Sequence, residues 1–390
     1  MGKTLVVCCD GTWNQPDEER HGTPEPTNVA KLALAVAREE GLQQLFYEPG
    51  VGTAPSERIA GGAFGYGLSR NLRHCYRFLA RAYVPGDAVF LFGFSRGAYT
   101  ARSLAGLIRN CGILTSDDPE VVDLAYALYR DRTSRTHPSS IQSQLFRDMH
   151  SHPAAPITFI GVWDTVGALG IPEEFPGWKE MSQVFSGWQE LWGFHDTQLS
   201  SQVLNAVQAL AIDEQRSAFK PTLWTQGPDA PVTQNLKQVW FTGVHSEVGG
   251  GTDDNALSDI TLLWMAAEAE RAGLRFREGL PLAGWPDAIA PNYAGELYDS
   301  RHGFFRLERA YHRLAEPPVE TQRGQAIAST AARRAAERIG DYEPPGFADY
   351  LAALGEPMDV DAALAAGGRV RADVVTRPLA APDAPRSVSS

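Results

Sequence analysis

Residues 89–103 read VFLFGFSRGAYTARS, an apolar run that ends in Gly93-Phe94-Ser95-Arg96-Gly97 and passes at once into a helical pattern. A strand without a polar residue suits the middle of a parallel sheet covered on both faces. A serine on the tight turn from such a strand into a helix is held at strained backbone angles, and the residues two positions either side must be small. Gly93 and Gly97 meet that demand. The turn lifts the Ser95 hydroxyl above the strand ends, and it aims the Arg96 N–H and the helix N-terminus at a developing oxyanion. A capping serine at a glycine-rich helix start is the plainer alternative.

The rest of the chain repeats the alternation. TLVVCCD (4–10), LFYEPGVGT (45–53), PITFIGVWDTVG (156–167) and LKQVWFTGVHSEVGGG (236–251) read as further strands running into polar or glycine-rich turns. Helical spacing predicts helices over 27–39 with Thr27 or Asn28 as cap, over 68–84, over 96–112 stopping at Gly112, and over 258–273 capped by Ser258. GGAFGYG (61–67) reads as a loop. The expected fold is α/β, with a mainly parallel central sheet and helices on both faces. Residues 1–275 form the catalytic domain, in which the Trp- and Phe-rich stretch 171–200 is a lid-like insertion. Residues 276–376 read as a mostly helical C-terminal extension, with basic helical stretches near 303–315 and 323–339, and 377–390 as a disordered tail.

Composition narrows the function. A net charge of −12 speaks against nucleic acid as a partner, because that binding needs clustered cations. Cys8, Cys9, Cys75 and Cys111 show no C-x-x-C spacing, so buried free thiols are expected, and neither a metal nor a cofactor is called for. The N-terminus is too short in its apolar part for a signal peptide, and no window is long and apolar enough for a membrane span. The expected location is cytoplasmic, with room for peripheral contact with lipid; the oligomeric state is not legible.

A serine needs a base and an orienting acid. Asp164 closes ITFIGVWD and His245 closes VWFTGVH, both at the strand edge where open α/β sheets place their sites. The chain order Ser, Asp, His also fits. His195, beside Asp196, ranks second as base and fits better as a pocket residue, while Asp253, Asp254 and Asp259 compete for the acid role. Asp10, in CCDGT, could serve a phosphatase of the kind that opens with D-x-D-G-T, but the nucleophile position holds Cys8. The better reading makes Asp10 a support residue, with Gly11 and Thr12 supplying further oxyanion donors. Trp178, Trp188, Trp192, Phe94 and His195 are candidate substrate-pocket residues.

CDGTWN, TNVAKL, GFSRGAYTAR, IGVWDTVGALG, FHDTQLS, ALAIDEQRSAF and VWFTGVHSEVGGG, taken together over about residues 3–270, resemble the DUF2235 α/β-hydrolase family. That family includes the catalytic domain of Tle1-class type VI secretion phospholipase effectors. The resemblance implies an α/β-hydrolase fold and a lipolytic serine esterase, with nucleophile, acid and base on Ser95, Asp164 and His245. The segment after about 300 matches weakly. The resulting expectation is a carboxylic-ester hydrolase acting on lipid-like substrates, phospholipids included, through an acyl-enzyme. A catalytically silent scaffold that binds a ligand or protein is the alternative, and a phosphatase using Asp10 a more distant one.

Overall fold

The computed structural model describes residues 2–11, 19–20, 23–39, 41–50, 63–131, 133–167, 197–227, 230–277, 289–301, 306, 309–319 and 323–361. Most of the lid-like insertion, up to residue 196 and including Trp178, Trp188, Trp192 and His195, lies outside the described residues, as do Thr12 and the tail 377–390; its last residues, 197–200, are described, and Gln198–Leu199 pairs in parallel with Thr225–Gln226.

Seven strands make the central sheet: β1 (Thr4–Cys9), β2 (Gln43–Glu48), β3 (Ala88–Phe94), β4 (Ile157–Trp163), β5 (Val203–Ala211), β6 (Asn235–Phe241) and β7 (Gln325–Ile327). Their order is β7-β6-β5-β4-β3-β1-β2, and every pairing is parallel. All strand C-termini therefore share one edge. The order reverses at β1, which has β2 on one side and β3 on the other, so the crevice between β1 and β3 is the topological switch point where ligands bind in open α/β sheets. Register sets Cys9 beside Gly93 and Phe94 beside Trp163, which brings Asp10, Ser95 and Asp164 to neighbouring strand ends.

The pleat sorts these strands' side chains into two cores. Leu5, Val7, Cys9, Val89 and Leu91 pack with α2 (Ala63–Ala82), α3 (Arg96–Cys111) and α4 (Pro119–Arg130). Val6, Cys8, Phe90, Phe92, Phe94 and Trp163 pack on the other face with α1 (Asn28–Ala35) and with a long helix, Ala256–Arg271, described below as α7. That helix is buried from Leu257 to Ala269, as its nearly all-round apolar sequence requires. The four cysteines are free and buried, with Cys8 and Cys9 in opposite cores and the Cys9 and Cys75 sulfurs 3.6 Å apart.

Several expectations are corrected. Among the described residues α2 begins at Ala63, inside the stretch read as a glycine-rich loop, because the amphipathic run that follows carries the helix back through Gly65 and Gly67. A helix α5 (Ile141–His150) precedes β4. β6 stops at Phe241; Gly243, at φ 122°, turns the chain, and His245 opens a short helix α6 (His245–Gly249) instead of closing the strand. α7 is flanked by Asn255, so Ser258 lies within its first turn and donates to the Asn255 carbonyl. Residues 276–376 are not simply a helical extension. β7 adds a strand to the sheet, helices α8 (Ser329–Ala336) and α9 (Phe347–Leu354) follow it, and residues 309–315 form a turn within irregular backbone. β5, which the sequence reading left out, carries Asn205 and Gln208 in an alanine-rich run; Gln208 is fully buried with its amide bonded to the Thr222 carbonyl.

α1 is tied by polar contacts to α6, α7 and the segment between them, more than 200 residues later in the chain. The fully buried Asn28 amide donates to the Val248 carbonyl at 3.0 Å, the Ser258 carbonyl at 2.9 Å and the Thr261 hydroxyl at 3.0 Å. Lys31 forms a buried ion pair with Asp259 at 2.9 Å. Asn28→Ala leaves three buried acceptors with fewer partners and is expected to destabilise the protein by roughly 2–3 kcal/mol, seen as a lower urea midpoint at unchanged slope.

Candidate active site

Ser95 sits at φ 57°, ψ −120°, a conformation an L-residue adopts only under constraint. Its N–H donates to the Trp163 carbonyl of β4 at 3.1 Å, and its carbonyl accepts from Tyr99 N–H at 3.2 Å in the first turn of α3. The flanking glycines are required by space. A Cβ on Gly97 would overlap the carbonyl oxygen of Cys9, and one on Gly93 would overlap that of Gly97. Arg96 follows as the first residue of α3; burial lowers its guanidinium to about 10.

Asp10 leaves the end of β1 buried and fully engaged. Its carboxylate accepts from Gly11 N–H at 2.7 Å, from the Thr27 hydroxyl at 2.9 and 2.7 Å, and from the Tyr47 hydroxyl at 2.5 Å. Thr27 caps α1 by accepting from Ala30 N–H, so Asp10 joins the ends of β1 and β2 to the start of α1. The Gly11 N–H expected at an oxyanion is thus directed to Asp10, since a charged carboxylate one residue away outcompetes an open position.

Asp164 follows β4 at φ 37° and is completely buried. His245 Nδ1 and Asp164 Oδ2 are 2.6 Å apart, while among the other acids considered Asp259 pairs with Lys31 and Asp253 meets Tyr298. The imidazole lies between two rings, Phe94 at 4.6 Å and Phe219, from a 3-10 turn (Ser217–Phe219), edge-on at 5.0 Å. Phe94, a candidate substrate-pocket residue, is buried against the imidazole, and a Cβ on Gly249 would overlap its ring. The His245 N–H donates to Glu214 at 3.3 Å. Burial lowers the His245 pKa below its ordinary value although the Asp164 carboxylate opposes the shift.

Arg313 is the residue the sequence did not single out. Its buried guanidinium grips both Asp164 oxygens, Nη1 to Oδ1 at 2.6 Å and Nη2 to Oδ2 at 3.1 Å. Asp164 Oδ1 also accepts from Ala211 N–H at 3.1 Å. Burial works against the charge on Asp164, yet Arg313 and His245 hold its carboxyl well below the usual range. Nothing local distinguishes Arg313 from the arginines around it in FFRLERAYHRL.

More acids support the His245 loop. Asp213 accepts from Gly243 N–H at 2.7 Å, and Glu247 accepts from Val244 N–H at 2.8 Å and Tyr298 N–H at 3.0 Å. Burial raises Asp213 to about 6 and Glu247 to about 7. Glu214 goes the other way: burial opposes its ionisation, but its bidentate partner Arg216 brings it down to about 2. One turn along α3 from the elbow opens a cavity of about 270 Å³, bounded by Tyr99, Arg102, Ser103, Ile160, Leu199 and Trp224. Among the described residues no cluster of His, Cys, Asp and Glu could hold a metal ion, and no helix is long and apolar enough to cross a membrane.

A parallel sheet with a serine elbow and an acid at neighbouring strand ends, the acid bonded to a histidine that follows a third strand, defines an α/β-hydrolase-like protein. The chain belongs to the family described as T6SS, phospholipase effector Tle1-like, catalytic domain, whose model matches residues 3–268. Lipid-ester hydrolysis is the activity at the level of that family. An uncharacterized Saccharomyces cerevisiae protein, YEL023C, is 27% identical over 325 residues, covering 77% of this chain and 43% of its own length. Among solved structures, an uncharacterized protein from Pseudomonas aeruginosa aligns at 18% identity and TM-score 0.41, over 71% of this chain and 46% of that one. The Tle1 effector bound to the VgrG spike of the type 6 secretion system aligns at 17% identity and TM-score 0.37, over 65% and 51%. At such scores neither likeness bears on the fold or the site. The chain spans about half or less of the length of each of these proteins.

The raised Glu247 gives a signed expectation. An acid whose folded pKa exceeds its unfolded value of 4.5 costs stability progressively as pH rises from there to about 7, and by a constant amount above. Glu247→Gln lacks that loss. Its stability relative to the wild type should therefore rise between those pH values and level off beyond, as read from paired denaturation curves.

Proposed function

We propose that this chain hydrolyses carboxylic esters of lipid-like substrates, phospholipids included, with Ser95 as nucleophile, His245 as base and Asp164 as orienting acid. The observation that carries the reading is the buried 2.6 Å contact between His245 Nδ1 and Asp164, together with the strained φ of 57° at Ser95. With Nδ1–H donating to Asp164, Nε2 is left as the basic nitrogen. It takes the Ser95 proton as Oγ attacks the acyl carbon, and returns that proton to the departing alkoxide. The Arg96 N–H and the start of α3 face the oxyanion formed in between. Water, activated by the same imidazole, then releases the acid. Peripheral contact with a lipid surface belongs to the same proposal.

The phosphatase alternative loses its machinery. Cys8 is buried in the core, where burial pushes its thiol well up, and Asp10 is occupied by two hydroxyls and an N–H.

Ser95→Ala and His245→Ala are each expected to lower kcat/KM on a p-nitrophenyl acyl ester by at least about 10³-fold, because the three groups act as a unit. A fluorophosphonate probe should modify Ser95 alone, as mapped by peptide mass spectrometry, and near-normal turnover by Ser95→Ala sinks the mechanism. No adduct on folded protein, with or without detergent, would favour a silent binding scaffold. The lowered His245 pKa keeps the base neutral into mild acid, so the acid limb of kcat/KM should fall below pH 6.5. Asp10→Asn, which keeps an acceptor for Thr27 and Tyr47, should reduce the rate less than either substitution above.

A further inference from the structure

We propose that Arg313 is a positioning residue of this site: it holds Asp164 in the plane that fixes His245, and it offsets the carboxylate's charge so that the imidazole remains a weak, readily deprotonated base. The inference rests on the triad reading above. It concerns a residue outside the 3–268 stretch that the family model matches.

The guanidinium makes four bonds. Besides the two Asp164 oxygens, Nη1 donates to the Ala211 carbonyl at 2.8 Å and Nη2 to the Phe219 carbonyl at 2.6 Å. Ala211 ends β5, and Phe219 carries the ring that packs edge-on to His245. A planar fork bonded at both ends leaves Asp164 little freedom to rotate, and Asp164 in turn sets the tautomer and tilt of the imidazole. Lysine in that place would deliver charge without the fork.

A buried carboxylate beside an imidazole stabilises imidazolium, and a guanidinium on the same carboxylate opposes that field. The other charged groups facing His245 are Glu214, itself paired with Arg216 at 2.7 Å, and, on its own helix, Glu247; Asp213 meets the preceding turn at Gly243. None of them replaces Arg313 on Asp164. Without Arg313, Asp164 stabilises the protonated histidine more strongly, its pKa rises, and less of the base is neutral at a given acidic pH.

The test uses the full chain with Arg313→Met and Arg313→Lys. His245 is titrated by NMR of its ring protons without substrate, and kcat/KM on a p-nitrophenyl ester is followed against pH. In Arg313→Met both the His245 titration and the acid limb should move up by about one pH unit, with kcat/KM at its plateau reduced at least about tenfold. In Arg313→Lys the limb should stay near the wild-type position while the plateau falls. An unmoved His245 titration in folded Arg313→Met overturns the electrostatic part. A wild-type plateau in Arg313→Lys overturns the positioning part and decides the matter alone if Arg313→Met does not fold. Because the titration is read without turnover, a failure of the esterase reading, seen as no Ser95 adduct, is separate from a failure here.

Discussion

The first turn of α3 lies directly against the backbone at the end of β1, and that approach organises the catalytic edge. Gly97 has no side chain because the carbonyl of Cys9 occupies the place of one. The contact locks the crossing between the two strands that flank the topological switch, and it leaves Ser95 at the apex with its N–H on the neighbouring strand. The Asp10 cluster ties the ends of β1 and β2 to the start of α1 through Thr27 and Tyr47. Strain at the serine is thus carried by a rigid frame of strand ends, in keeping with the usual location of backbone strain at functional sites.

Around the histidine the frame is electrostatic. Asp164, Glu214, Asp213 and Glu247 all turn carboxylates toward backbone or side-chain donors of the same few loops. Two of these acids are paired with arginines and held ionised at low pH; the other two depend on N–H and hydroxyl donors, and burial moves them toward neutrality. The partition follows from what each carboxylate meets: a guanidinium fork outweighs desolvation, and backbone donors alone do not.

Much of this was legible in the residues. TLVVCC, AVFLFGF, ITFIGVW and NLKQVWF announce themselves as strands because both faces of a parallel sheet demand apolar side chains, and the two glycines around Ser95 announce a turn with no room. β5 was hidden because alanine, asparagine and glutamine carry little strand signal, and Gln208 is buried only by virtue of a distant carbonyl. β7 is three residues long and joins by register with a strand nearly 90 positions earlier (Gln238 opposite Gln325), which no local pattern encodes. Arg313 is the sharpest case, since its meaning lies in a carboxylate 149 residues away. The strand ending at Phe241 was overextended to His245 because the left-handed turn at Gly243 looks in sequence like one more glycine near a strand end.

That 149-residue separation also orders events during synthesis. Asp164 and His245 are synthesised first, and the partner that balances the buried carboxylate follows only when the chain has reached residue 313, ahead of the edge strand at Gln325. Until then an ionised Asp164 has no guanidinium to offset its burial, and the folded arrangement of the acid–histidine pair is disfavoured. A nascent chain on the ribosome, or one cut short before that point, is on this account a poor host for the reactive geometry.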